Sequence, residues 1–228
     1  MLPAVVLAAG AGSRLRPLSE HYAKPLLPVD GKPVLALILR ELAASGCPQV
    51  TLVTGYLAEQ VERFAGDGSA FGVSLSTARQ AGPHGSADAV VAAGATPPYL
   101  VLGADTVFEA GDVGRFSRAF ESSGAAAALA VRRLREPGRN GVSLADGRVE
   151  RMHAPESPFA GAPLWGVGAA VAAVVDSLPG RPPYELATAF QLAIDAGERV
   201  AAVEIGATRD LTTPTDLLRE NFPYLITL

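Results

Sequence analysis

Apolar positions along this chain alternate between two patterns. Short continuous apolar runs at residues 5–8, 49–54, 99–103 and 126–131 read as buried strands, with a shorter one at 74–77. Between them the spacing becomes helical. Leu35, Ile38, Leu39 and Leu42 mark a helix over 34–44 that stops at Gly46. Further helices are predicted at 58–64, at 86–93 ahead of Gly94 and Pro97-Pro98, and at 113–122. Strands alternating with helices imply βαβ units and a mostly parallel sheet covered on both faces.

The character changes beyond residue 133. Asp146-Gly147 is a strong two-residue hairpin signal, so residues 134–165 are predicted to form a small, loop-rich antiparallel insertion. Residues 164–172 return to the core. A helix over 184–196, a strand over 200–205 and a last helix over 214–220 complete the chain. No internal repeat or interdomain linker interrupts it, so residues 1–228 read as one α/β domain.

Composition narrows the function classes. Of 228 residues, 49% are hydrophobic and 18% charged, a globular balance. A net charge of −4 and a pI near 5.4 argue against a nucleic-acid surface. No run is long enough for a membrane span, and the N-terminus has no signal-peptide pattern. The single cysteine, Cys47, excludes a disulfide framework and suits a reducing cytoplasm; its Ala-Ser-Gly-Cys-Pro setting reads as a structural thiol in a turn.

Candidate chemistry starts at the first strand. Leu7-Ala8-Ala9-Gly10-Ala11-Gly12-Ser13-Arg14-Leu15-Arg16-Pro17-Leu18 is followed by Lys24-Pro25-Leu26-Leu27-Pro28-Val29. Glycines after a buried strand let backbone N–H groups approach a phosphate, and Arg14 and Lys24 supply fixed positive charge. The loop is not a dinucleotide fingerprint, because position 15 is leucine, and it lacks the G-K-[ST] ending of a P-loop. Downstream, Gln80-Ala-Gly-Pro-His-Gly85-Ser86 offers an amide suited to a pyrimidine edge, a glycine permitting close approach, and Ser86 as an expected helix N-cap. Asp105 ends the strand Leu100-Val-Leu-Gly-Ala, and Asp210 precedes Thr213-Pro214-Thr-Asp216. Two carboxylates, each after a strand, can form a hard-oxygen site for Mg²⁺. Asp216 is placed in the first turn of the last helix.

Jointly these segments resemble the sugar-phosphate nucleotidyltransferases, the pyrophosphorylases that join a nucleoside triphosphate to a sugar 1-phosphate. The family opening, L-A-A-G-x-G-[ST]-R-[LM]-x-P-L then K-P-L-[LV]-P-V, is almost unbroken from Leu7 to Val29. The resemblance implies a Rossmann-like three-layer sandwich, with a nucleotide-binding half (1–133) and an acceptor-binding half (134–228). It implies catalytic roles for Arg14 and Lys24 and nucleotide contacts from Leu7, Ala8, Ala9, Gly10, Gly12, Ser13, Arg14, Gln80, Gly85 and Ser86. It implies Mg²⁺ on Asp105 and Asp210, and acceptor contacts from Gly141, Trp165 and Gly166. UTP or dTTP is the implied donor. Some relatives carry a C-terminal left-handed β-helix; with the chain ending at Leu228, none is expected here.

The acceptor side departs from the family. Its E-K-P triplet is replaced by Met152-His153-Ala154-Pro155-Glu156, without the lysine; His153 reads as a solvated loop residue, with a replacement acceptor ligand as the alternative. Two alternatives therefore stay open: a cytidylyltransferase of the same fold acting on a phosphorylated alcohol or amine, and a non-catalytic nucleotide-binding regulatory module. Apolar residues near Phe222-Pro-Tyr-Leu-Ile leave a homo-oligomer contact open.

Overall fold

The structure is a computed structural model in which residues 1–133 and 141–222 are described. In chain order the first part comprises β1 (Ala4–Ala8), α1 (Leu18–His21), β2 (Pro28–Val29), β3 (Lys32–Pro33), α2 (Val34–Ala44), β4 (Val50–Thr54), α3 (Ala58–Ala65) and β5 (Leu75–Arg79). Next come α4 (Ser86–Ala93), β6 (Tyr99–Gly103), β7 (Thr106–Val107), α5 (Asp112–Ser123) and β8 (Ala127–Arg133). The last part holds β9 (Ser143–Ala145), β10 (Arg148–Arg151), β11 (Phe159–Val167), α6 (Ala169–Asp176), α7 (Leu186–Asp195), β12 (Val200–Glu204), β13 (Arg209–Asp210) and α8 (Pro214–Asn221).

One sheet of order β5-β4-β1-β6-β11-β8-β12-β10-β9 forms the middle layer. β5, β4, β1 and β6 run parallel, as do β8 and β12. β11 is antiparallel to both of its neighbours, β6 and β8. The chain winds from β1 outward through β4 to β5, then returns to β6 on the other side of β1. That reversal opens a crevice at the carboxyl ends of β1 and β6, where open α/β sheets receive ligands.

Alternation along β1 divides its side chains between two cores. Ala4, Val6 and Ala8 join the layer of α2, α3 and α5, which holds Leu35, Leu39, Val61 and Phe116. Val5 faces the opposite layer of α4, α6 and α7, which holds Val90, Val171 and Phe190. The expected three-layer sandwich is therefore present.

The predicted hairpin forms at Asp146-Gly147, both residues at positive φ (49° and 72°), as a tight two-residue turn between antiparallel strands requires. It is less an insertion than an edge extension, since β10 pairs with β12 and lengthens the main sheet. Two strands run beyond their predicted ends because neighbours hold them. Thr54 aligns with Arg79, carrying β5 two residues past Thr77, and Ala160 and Phe159 align with Arg132 and Arg133, carrying β8 past Val131. Residues 134–140, including Asn140, and the Pro-Tyr-Leu-Ile contact suggested after Phe222 lie outside the described residues.

Candidate active site

The loop after β1 is held by its own backbone and by the segment it faces. Gly12 adopts φ 62°, and a Cβ there would come within 3.2 Å of the Lys24 side chain. The carbonyl of Gly12 accepts from Leu15 N (2.8 Å) and from the buried Ser19 hydroxyl (2.9 Å). A second short turn, Lys24–Leu26, is fixed by Ala23 N donating to Gln60 Oε1 (3.0 Å). Lys24 is thereby buried to 13% side-chain exposure, and its Nζ donates to Asp105 Oδ2 at 2.5 Å. Arg14, by contrast, is exposed and has no ion-pair partner among the described residues.

Asp105 follows β6, and Ala104 N donates to Leu7 O (3.0 Å), tying that turn to the end of β1. Asp210 arrives from far along the chain through the two-stranded pairing of β7 with β13, in which Asp210 aligns with Thr106. The Thr106 hydroxyl lies between the carboxylates, 2.8 Å from Asp210 Oδ1 and 3.3 Å from Asp105 Oδ1. Arg132, from the extended end of β8, donates from Nη1 to Asp210 Oδ2 (3.1 Å) and to Thr208 Oγ1. Each carboxylate thus has its own cation, Lys24 on Asp105 and Arg132 on Asp210.

Two contiguous cavities meet at this point. The first, about 530 Å³, is lined by every residue expected to contact the nucleotide, together with Lys24 and Asp105. The second, about 610 Å³, is lined by Val142, Met152, His153, Arg132, Asp210 and Thr213 among others. Arg14, Asp105 and Trp165 line both. Gln80 Nε2 donates to Gly85 O (2.9 Å) and Asp88 Oδ2 (2.8 Å). Two acceptor neighbours fix the amide orientation and leave Oε1 without a partner among the described residues.

A family model described as nucleotidyl transferase matches residues 3–158. The chain belongs to the nucleotidyl transferase family. It is 35% identical to a glucose-1-phosphate thymidylyltransferase of Streptomyces griseus over 96% of this chain, but spans only 65% of that relative's length. It is 30% identical to the UTP–glucose-1-phosphate uridylyltransferase AglF of Haloferax volcanii, over 94% of this chain and 93% of that protein. A solved chain from Bacillus anthracis superposes with TM-score 0.87 over 97% of this chain and 94% of that one; at 23% identity this is a likeness of fold.

The carboxylate pair suits the divalent metal expected of a nucleotidyl transferase. No group of three or more His, Cys, Asp or Glu side chains converges among the described residues. Two partly exposed carboxylates facing one cavity region would supply hard oxygen ligands to such an ion.

Three expectations change with the structure in view. Gly166 does not face either cavity; it is buried, and a Cβ there would lie 2.4 Å from the Phe120 ring, so it serves packing of α5 on β11. Gly141 is buried and bridges to Ala160, and it is the adjacent Val142 that lines the second cavity. Ser86 is the first residue of α4 rather than its cap, which is Gly85. The Ser86 hydroxyl instead donates to Glu185 Oε2 (2.5 Å) and accepts from Leu186 N (2.9 Å), joining α4 to α7. Trp165 lines both cavities, held edge-on by Phe190 at 4.8 Å. His153 is exposed and also borders the second cavity, while Glu156 is exposed and lines neither. Sequence reasoning missed Arg132; its only signal was a basic pair ending an otherwise apolar strand.

Proposed function

We propose that this nucleotidyl transferase moves a nucleotidyl group from UTP or dTTP to a sugar 1-phosphate, releasing pyrophosphate and forming a nucleotide sugar. The observation that carries the proposal is the pair of adjoining cavities sharing Arg14 and Asp105, one for the triphosphate and one for the acceptor. The names and extents of the Streptomyces and Haloferax relatives support it.

In this reading an acceptor phosphate oxygen attacks the α-phosphorus in line. A new P–O bond forms, the bond to the β-phosphate breaks, and pyrophosphate leaves with its charge. The nucleophile is already anionic, so the protein needs alignment and charge neutralisation, not a strong base. Arg14 binds the outer phosphates, and Lys24 offsets repulsion between the α-phosphate and the incoming phosphate. Asp105 and Asp210 would hold Mg²⁺, which when bound supplies further neutralisation at the α-phosphate. The nucleotide is held by residues 1–133, and the acceptor mainly by residues 141–213 with Arg132. The lone buried thiol of Cys47 is consistent with a cytoplasmic setting, and no helix among the described residues is long and apolar enough to cross a membrane.

Gln80 favours uracil or thymine over cytosine. Both of its N–H donors are used internally, leaving an acceptor. That acceptor matches the N3–H of uracil or thymine; at the same position cytosine N3 is an acceptor, and cytosine could pair only by shifting to offer its exocyclic amino group. A pyrophosphate-release screen of UTP, dTTP, CTP, ATP and GTP against sugar 1-phosphates, phosphocholine and phosphoethanolamine tests the proposal. Turnover with UTP or dTTP and a sugar 1-phosphate is expected. Turnover confined to CTP with a phosphorylated alcohol or amine, or none with any pair, overturns it.

A further inference from the structure

We infer that Arg132 is the cation that captures the acceptor's phosphate, an assignment that rests on the two-cavity reading above. Three observations place it there. Arg132 lines the second cavity and not the first, whereas Arg14 lines both and Lys24 lines only the first. Residues 152–156, which border the second cavity through Met152 and His153, contain no lysine or arginine, so that loop brings no permanent cation. Third, the guanidinium is only half used. Nη1 donates to Asp210 and Thr208, while Nε is sealed from solvent without a hydrogen-bond partner among the described residues.

An unsatisfied charged donor in a buried position is costly, and a ligand that satisfies it removes the cost. The free edge of the guanidinium, Nε with Nη2, has the fork geometry that holds two oxygens of one phosphate. Asp210 holds Nη1 beside the junction of the cavities, where Asp105, Asp210 and Trp165 converge, so a turn of the guanidinium about that contact is enough to present the sealed edge to a ligand. Swinging that free edge into the second cavity brings the acceptor phosphate beside the carboxylate pair and leaves the triphosphate to Arg14 and Lys24.

The test compares wild type with R132Q and R132K by calorimetric titration in Mg²⁺ buffer, using glucose 1-phosphate, inorganic phosphate and dTTP as separate probes. R132Q is expected to weaken glucose 1-phosphate and phosphate at least tenfold while dTTP stays within twofold. R132K is expected to recover part of the loss, because it restores the charge but not the fork. In steady state the acceptor KM of R132Q rises at least tenfold, and the dTTP KM stays within twofold. A Mn²⁺ titration followed by electron paramagnetic resonance separates this from a purely structural role, which would weaken metal, dTTP and phosphate together. The assignment is overturned if R132Q binds both anions as wild type does, if metal and dTTP affinity fall in step with them, or if wild type binds neither anion. Should no sugar 1-phosphate turn over while phosphate binding still depends on Arg132, the proposed reaction fails and the Arg132 assignment stands.

Discussion

Lys24→Met probes the centre of the site, because Lys24 has two opposed roles. In the free protein its ammonium neutralises Asp105 at 2.5 Å, with side-chain exposures of 13% and 36%. Asp105 keeps enough water contact to be solvated when the lysine is lost. The expected stability loss is therefore about 1 kcal/mol, a fall in Tm of about 2–4 °C for a chain of this size. In the proposed reaction Lys24 is the buried cation of the cavity assigned to the triphosphate. Loss of one preorganised charge contact costs about 3–4 kcal/mol in the transition state, so kcat should fall by about two to three decades. The metal should respond in the opposite direction. If Asp105 holds the divalent ion as proposed, that ion has to displace Lys24 in wild type; without that competition the same ~1 kcal/mol becomes about fivefold tighter binding. Pyrophosphate release with both substrates saturating reads the first effect, and Mn²⁺ titration by electron paramagnetic resonance the second. Turnover within tenfold of wild type would refute the role given to Lys24, and unchanged or weaker Mn²⁺ binding would refute the competition.

Other substitutions separate packing from binding and one sets a pH dependence. Gly166→Ala forces a Cβ to 2.4 Å from the Phe120 ring, so stability should fall by about 1–3 kcal/mol in a urea titration with the acceptor KM unchanged; a raised KM at full stability would return Gly166 to the acceptor site. Gln80→Leu removes the proposed partner of the base N3–H, and the KM for UTP and dTTP should rise about tenfold while acceptor KM holds; equal UTP and CTP kinetics in wild type would remove the argument for Gln80. Glu62 accepts two hydrogen bonds from Arg79 and one from Thr54, and chiefly the Arg79 contact lowers its pKa to about 2. Because the folded value is depressed below 4.5, its contribution is complete above pH 4.5 and disappears as the pH falls toward 2. The unfolding free energy of Glu62→Gln from urea titration should thus trail wild type by about 1 kcal/mol at pH 7 and converge with it in acid; a gap independent of pH would contradict this.

Much of the site was legible because its parts are local in sequence. The turn from β1 into Gly10–Arg14, the Lys24-Pro25 segment and the Gly85-Ser86 helix start each lie within a few residues, and short-range chemistry dictates their form. Every residue expected to contact the nucleotide lines one cavity. The acceptor side was less legible. Gly166 was expected to contact the acceptor because its segment resembles a family strand, yet what approaches it is Phe120. Ser86 looked like a cap because local statistics favour it, but Glu185 of a distant segment takes the hydroxyl.

The sequence alone determined the alternation of strands and helices, the glycine loop and the two carboxylates, because hydrophobic period and turn chemistry act over a few residues. The tertiary structure decided how those parts meet. Pairing of β7 with β13 brings Asp210 to Thr106 and Asp105, and pairing of β8 with β11 carries the strand far enough to put Arg132 on Asp210. Those contacts depend on sheet register between segments remote in the chain. Register is set by burial and pairing across the whole fold, and no local pattern around Arg132 encodes it.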